Sequence, residues 1–460
     1  MNVLARQLAL IDSAQTIRVT GRVRDIVGLT VVAEGLPLPV GAMCLIRPRA
    51  TAPVEAEVIG FQGARTVLLP LSLPQGIAAG AAVESTAAMQ SVAVGRQMLG
   101  RTVDGLGRPL DGRPPFRPEA CYPIHADPPP PMQRRAIDAP LPTGVRAIDA
   151  MHTVGCGQRM GIFSGTGVGK STLLSMIARN TAADVNVVAL VGERGREVGD
   201  FIRELREADA REAEQTDGAE RVPALERTVM VVSTSDESPV LRVRACFVAT
   251  AIAEYFRDQG GHVLLLIDSL TRLAMAQRQI GLAAGEPPAT KGYTPSVFAL
   301  LPRLLERSGA GVPPAQGSIT GLYSVLVEGD DLNDPIGDAV RGILDGHIWL
   351  SRTLANRGYY PAISVLESIS RVMPDIVDAE HLEAARQVRR TLAVWSDIED
   401  MVNIGAYARG ASAEFDAAVD FKPRIDQLLT QGVHERATLA ETRARLVELA
   451  AQIGAARKRS

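Results

Sequence analysis

The 460-residue chain has few aromatic residues, few cysteines, no surplus of positive charge and no long apolar run. Each shortage narrows what the protein does. The formal net charge is −3, whereas a protein devoted to nucleic acid needs clustered Lys and Arg in excess to neutralise phosphates. Aromatics make up 4% of the chain, and the amino-terminal strands carry few of them, which argues against a base-stacking surface. Cys44, Cys121, Cys156 and Cys246 are far apart and match no metal-ligand spacing, so they read as small buried hydrophobes in a reducing compartment. The opening MNVLARQLALIDSAQ lacks the basic start, apolar run and cleavage site of a signal peptide. No stretch approaches the length of a membrane span. The expectation is a cytoplasmic protein, at most peripheral to a membrane.

What is present is an ordinary globular composition and a length that suggests two or three domains. Residues 1–16 form an expected helical segment, with Leu4, Leu8 and Ile11 at helical spacing. It either packs on its own domain or binds a partner. From 17 to 90 the sequence breaks into short alternating strands, TIRVTGRV, GLTVVAEG, EAEVIGF, RTVLLPL and PQGIAAGAAV, which predict a small closed β-barrel or sandwich. The prolines of GRPPFRPEACYPIHADPPPPMQRR (112–135) exclude regular helix or sheet interior there. The domain from 91 to 374 alternates apolar strands with helices, the strands being MGIF, VNVVALV, TVMVVST, HVLLLID, LYSVLV, HIWL and AISVL. Near-continuous apolar runs belong to strands covered on both faces, hence an α/β fold with a mainly parallel sheet. Residues 375–460 read as a helical domain. Its last segment spaces Leu439, Thr442, Leu446, Leu449 and Ile453 as either a coiled-coil seam or, more commonly, a helix packed on a bundle.

The chemistry lies in GIFSGTGVGKST, residues 161–172, placed between a predicted strand and a predicted helix. Gly165, Gly167 and Gly169, with Thr166 and Val168 between them, let successive backbone N–H groups face phosphate oxygens at a helix N-terminus. Lys170 can reach the β- and γ-phosphates, the hydroxyl of Ser171 suits Mg²⁺, and Thr172 adds a donor. Ser164 stands where this pattern asks for Gly, which raises the question of strain if its φ is positive. Asp268 ends the apolar run HVLLLID and suits Mg²⁺ or its waters at the same sheet edge. Glu193, two residues beyond VNVVALV and followed by Arg194, Arg196 and Glu197, is either the group that polarises the attacking water or part of a surface charge cluster.

With GERGREVGDFIREL added to these motifs, the chain resembles the flagellum-specific ATPase family, the ATPases of flagellar type III protein export, which are related to the catalytic beta subunit of rotary ATP synthases. The likeness runs through GRTVDGLGRPLDG, TGVRAIDAMHTVGCGQRMGIFSGTGVGKSTLL, GSITGLYSVLVEGDDLNDPIGDAVRGILDGHIWLSR and DIEDMVNIGAYARGASAEFDAAV, roughly residues 17–432. It implies a RecA-like P-loop ATPase core hydrolysing ATP with Mg²⁺. Carried over, the family's catalytic groups fall on Lys170, Glu193, Arg194 and, in ESISRV, on Arg371, the arginine that reaches a neighbouring subunit's nucleotide. Tyr360 in RGYYPAI matches the aromatic that packs on adenine, with Tyr359 adjacent. Three positions depart from the family, Ser164, Gln279 and Ser364, and READAREAEQTDGAERVPALE (206–226) is longer than its usual connection. That stretch reads as a solvated excursion.

The resemblance implies a homohexameric ring that supports export of flagellar proteins from the inner face of the cytoplasmic membrane, where it is peripheral. It also implies an export apparatus, a regulatory partner at the N-terminus, a central stalk-like partner, and export chaperones and substrates, with no nucleic acid. The alternatives are a virulence-type secretion ATPase, a rotary synthase subunit, a hexameric nucleic-acid translocase or a scaffold that only binds nucleotide.

Overall fold

The computed structural model describes residues 18–459 apart from 50, 73, 87–90, 216–221, 314–315, 328, 330, 332–333 and 411. The expected amino-terminal helix lies outside the described residues. The alternating segments that follow become β1 (Thr20–Val27), β2 (Thr30–Glu34), β3 (Met43–Arg47), β4 (Val54–Gln62), β5 (Arg65–Pro70) and β6 (Ala82–Ser85). They close into a barrel in the order β1-β2-β5-β4-β3-β6. Period-two residues such as Val23, Val31, Cys44, Ile46, Val58, Leu68 and Val83 fill its interior, and closure leaves no unpaired edge. β3 escapes the alternation pattern for a physical reason. Met43, on its other face, is buried with Leu69, Leu71, Leu106 and Val240, so MCLIR is apolar on both sides. Of PQGIAAGAAV only the end is strand, while Ile77 from its turn plugs the barrel core.

The next segment corrects a prolyl expectation. Inside 112–135, β9 (Ala120–Pro123) pairs antiparallel with β7 (Ser91–Val94), tolerated because the proline ends the strand. Cys121 on β9 is exposed and Cys156 half-buried, so only Cys44 and Cys246 are the buried hydrophobes expected.

The main sheet contains β8 (Thr102–Val103), β10 (Arg159–Ser164), β11 (Val185–Glu193), β12 (Thr228–Thr234), β13 (His262–Asp268), β14 (Gly309–Ala310), β15 (Ser318–Leu326), β16 (Gly346–Leu350) and β17 (Ile363–Ser370). Among the described residues its order is β17-β16-β10-β15-β13-β11-β12-β8, with β14 beside β15. Pairing is parallel except that β17 runs antiparallel to β16 and β14 to β15. Alternate residues of one strand enter different cores. Val187, Ala189, Val191, Val263, Leu265 and Ile267 pack on one face, and Val188, Leu190, Leu264 and Leu266 on the other. That double burial is what the unbroken apolar runs encode.

Helices cover both faces: α1 (Lys170–Asn180), α2 (Gly195–Gln215), α3 (Pro239–Asp258) and α4 (Leu270–Ala283), then α5 (Ala379–Asn403), α6 (Ala413–Leu429) and α7 (Leu439–Arg459). Ser238 and Ser269 cap α3 and α4 by accepting from the N–H groups of Leu241 and Arg272. Thr438 and Glu441 form a reciprocal capping box at α7, each side chain accepting from the other's backbone N–H, at 3.2 and 3.1 Å. Thr442, Leu446, Leu449 and Ile453 are buried by α5, α6 and the short helix Arg146–Met151, so the 3-4 spacing marks a bundle helix. Leu446, Leu449 and Ile453 share a core with Leu173, Leu174 and Ile177 of α1. The carboxy-terminal helices therefore pack on the face that carries the phosphate loop's helix. Leu446→Ala should destabilise this bundle by about 2–5 kcal/mol, measured as a lowered urea midpoint followed by helical circular dichroism. Among the described residues no helix is long and apolar enough to cross a membrane.

Candidate functional site

Strand order assembles the site. β10, β15, β13 and β11 are consecutive and parallel, so their carboxyl ends form one row carrying residues 165–170, Ser324, Asp268 and Glu193. The row is the crevice where open α/β sheets hold ligands. β10 ends at Ser164 and the loop enters α1 at Gly169, the N-cap, with φ 91°. Gly167 also has positive φ, 78°, and at both positions glycine avoids a left-handed penalty. Ser164 needs no such freedom. It is strand, and among the described non-glycine residues only Lys291 has positive φ. Its carbonyl accepts from Val327 N–H at 2.9 Å, so the departure at the loop's entrance introduces no backbone strain.

Three charged side chains meet where the loop becomes helix. The Lys170 ammonium donates to Asp268 Oδ1 and lies 3.8 Å from Glu193 Oε1. Asp268 Oδ1 also accepts from Ser324 Oγ at 2.5 Å. Asp268 and Glu193 are only 4% and 5% exposed, and a buried charge of this kind persists only with partners. Arg272, on α4, supplies one. It donates to Glu193 Oε2 at 2.9 Å and to the Gly192 carbonyl. The Glu193 carboxyl is pushed up to about 8 by burial, by its hydrogen bond with Glu197 and by the charge of Asp268, against the pull of Lys170 and Arg272. Glu197 is held below its ordinary value, chiefly by that same hydrogen bond. The two carboxyls thus act as a pair, in which the neutral form is favoured on Glu193 and the ionised form on Glu197.

Sequence reasoning passed over Arg272 and Ser324. Both left a signal: Arg272 lies one helical turn after Asp268 in DSLTR, and Ser324 is the one polar hydroxyl of small size inside the apolar strand LYSVLV. Arg194 sits differently from Glu193. Its side chain is 76% exposed and faces Glu197 at 3.8 Å. Ser171 is exposed and Thr172 half-buried at the start of α1, and the Thr166 carbonyl accepts from Arg352 at 3.1 Å.

Beyond the loop, Tyr360, Pro361, Thr172, Met176 and Val433 bound a cleft of about 310 Å³ beside Gly167 and Gly169. A Cβ on Gly169 would come within 3.4 Å of the Tyr360 ring. Tyr359 points elsewhere, its ring 5.9 Å from Lys422 of α6. The cleft's lining is mainly apolar, with Leu173, Met176, Pro361 and Val433 around the Tyr360 ring.

Arg371 is not brought to this row. It follows Ser370, which pairs with Gly346, which in turn pairs with Met160 at the start of β10. The loop begins four residues later, after Ser164, so roughly 13 Å of strand separates the two edges. Because β17 runs antiparallel, its end lies at the opposite edge of the sheet, where Arg371 is exposed.

Residues 144–370 match the model of the ATP synthase alpha/beta family, nucleotide-binding domain. Residues 377–448 match that of the T3SS EscN ATPase C-terminal domain. The chain is 50% identical over 433 residues to the flagellum-specific ATP synthase of Bacillus subtilis, covering 93% of this chain and 94% of that one. It is 48% identical over 412 residues to the type 3 secretion system ATPase of Xanthomonas euvesicatoria, with 89% of each covered. The assembled ATPase EscN in complex with its central stalk EscO, from enteropathogenic E. coli, superposes with a TM-score of 0.83 at 40% identity, over 94% of this chain and all of that one.

Proposed function

Because this chain belongs to the ATP synthase alpha/beta family, among its flagellum-specific and type III secretion ATPases, we propose that it hydrolyses ATP at the subunit interfaces of a ring supporting export of flagellar proteins. The observation that carries the chemical part is the row of strand ends holding Lys170, Asp268 and Glu193 within ion-pair reach. The loop N–H groups and Lys170 would take the β- and γ-phosphates, and Tyr360 would pack on adenine. In its ionised form Glu193 would orient the attacking water and accept its proton, the carboxylate being aimed by Arg272.

Asp268 and Ser171 would hold the magnesium ion. Among the described residues no group of three or more His, Cys, Asp or Glu side chains could hold a metal alone. One carboxylate and one hydroxyl suit an ion that keeps several waters and binds with the nucleotide's phosphates. When bound it neutralises charge on those phosphates.

Arg371 would act on a neighbouring copy, which agrees with its place at the far sheet edge. Arg194 would sit at the rim of that shared site. The assembly would be a hexamer with a stalk-like partner at its centre, a reading supported by the assembled relative that holds one. A regulatory partner at the N-terminus, chaperones and cargo near α5 to α7, and peripheral attachment at the inner face of the cytoplasmic membrane complete it. A second reading is a virulence-type system, favoured by the match of residues 377–448 to the EscN C-terminal domain. Deleting the gene and assaying flagellar proteins in the medium decides between them. Export should fall and return with the intact chain but not with Lys170→Ala. Normal filaments with lost delivery of other cargo would favour the second reading.

A further inference from the structure

The long connection after β11 is more than a solvated excursion. Residues up to Gln215 continue α2, and the returning chain is tied to that helix by Asp209, whose carboxylate accepts from the N–H groups of Ala224 at 2.7 Å and Leu225 at 2.9 Å. Leu205 anchors the helix in the core, and Glu207 pairs with Arg203 and Arg211 at 3.7 and 3.3 Å. Arg211 is thereby held on the last described turns, where one guanidinium nitrogen lies against the His434 ring, 2.8 Å from each ring nitrogen and able to hydrogen-bond one of them.

His434 follows Val433, and Val433 is a wall of the cleft that contains Tyr360. The segment joining α6 to α7 is fixed unevenly. On its inner side Gln431 donates from its backbone to the Tyr360 carbonyl at 3.0 Å and from its side chain to the Gly144 carbonyl at 2.9 Å. On its outer side Val433 is 41% exposed, its carbonyl accepts from Arg179 at 2.6 Å, and Arg211 grips its neighbour. A second cleft, of about 320 Å³, lies behind this lip between Arg179, Glu204 and Arg211, and shares Thr172 and Val433 with the first.

We propose that Arg211 is a positioning residue: the lengthened α2 latches the outer lip of the base cleft through His434 and so sets nucleotide affinity. This rests on residues 165–172 and Tyr360 being the nucleotide site. The latch holds Val433 against the bound base and slows its departure, while the phosphate-end chemistry at Lys170 and Glu193 is untouched. It acts on binding and not on the bond-breaking step.

The test is ADP titration by calorimetry together with steady-state hydrolysis on the full chain. Arg211 is 44% exposed in its side chain, so its replacement leaves the fold intact. Arg211→Ala and His434→Ala should each weaken ADP binding and raise KM about fivefold, as loss of one exposed hydrogen-bonded contact does, with kcat within about twofold. The double variant should be no worse than either single one, and Arg211→Lys should recover part of the loss. Unchanged ADP affinity in Arg211→Ala, additive effects in the double variant, or a fall in kcat at constant KM would overturn the latch. Failure of the unaltered chain to bind ADP would instead remove the underlying site.

Discussion

An Arg371→Ala chain should bind ATP with unaltered affinity and lose turnover by about 10³-fold or more, the range seen when an arginine that meets the transferring phosphoryl group is removed. Within one chain this would be hard to explain, since Arg371 and the phosphate loop occupy opposite edges of the sheet. Across a subunit boundary it follows directly. The guanidinium adds nothing to ground-state binding if it engages only the charge that spreads over the γ-phosphoryl oxygens, so kcat falls while affinity holds. The decisive measurement mixes two inactive chains. Arg371→Ala retains the loop, and Lys170→Ala retains the arginine. A randomly mixed ring places an intact loop beside an intact Arg371 at roughly one interface in four, so activity should reappear on mixing. No recovery, in rings shown to be mixed, would mean that Arg371 does not act in trans. Turnover per chain should also rise steeply with protein concentration as rings assemble.

What could be read in the sequence divides along physical lines. Strands buried on both faces declare themselves as unbroken apolar runs, and the β11 and β13 segments were delimited to within two residues for that reason. The glycines at 167 and 169 announce left-handed backbone because only glycine takes it cheaply. β3 was missed because alternation fails when both faces are covered, one by the barrel and one by Val240 and Leu106. The helix through 206–215 was missed because mixed charge at i, i+4 spacing, which stabilises an exposed helix, has the same composition as a solvated loop. At the site, Lys170 and Asp268 each follow from a local pattern. Arg272 does not, since its contact with Glu193 depends on β13 lying beside β11, a fact of strand order. The place of Arg371 depends on β17 turning antiparallel, which no periodicity within that strand records.

Glu193→Gln should lower turnover by about 10²–10⁴-fold, the share of a positioned base, and leave ATP binding near that of the unaltered chain, because the phosphate contacts belong to the loop. Its carboxyl, pushed up to about 8 by burial, by the shared hydrogen bond with Glu197 and by Asp268, adds two consequences with fixed signs. Water is activated by the carboxylate, so kcat/KM, which reports the free enzyme, should climb as pH rises from 6.5 to 8.5, with its midpoint near 8. The inflection belongs to the Glu193–Glu197 pair and should move when Glu197 is replaced by Gln. Stability runs the other way. Between the ordinary value of 4.5 and about 8 the folded chain holds a proton that the unfolded chain has released. The stability this lends is complete below 4.5 and is lost as pH rises through 8. A neutral carboxamide cannot incur that loss. The melting temperature of Glu193→Gln should therefore gain on that of the unaltered chain as pH rises from 6 to 9. A difference that stays flat across that range would show that Glu193 is already ionised at neutral pH, and would leave the loss of turnover to be explained by geometry alone.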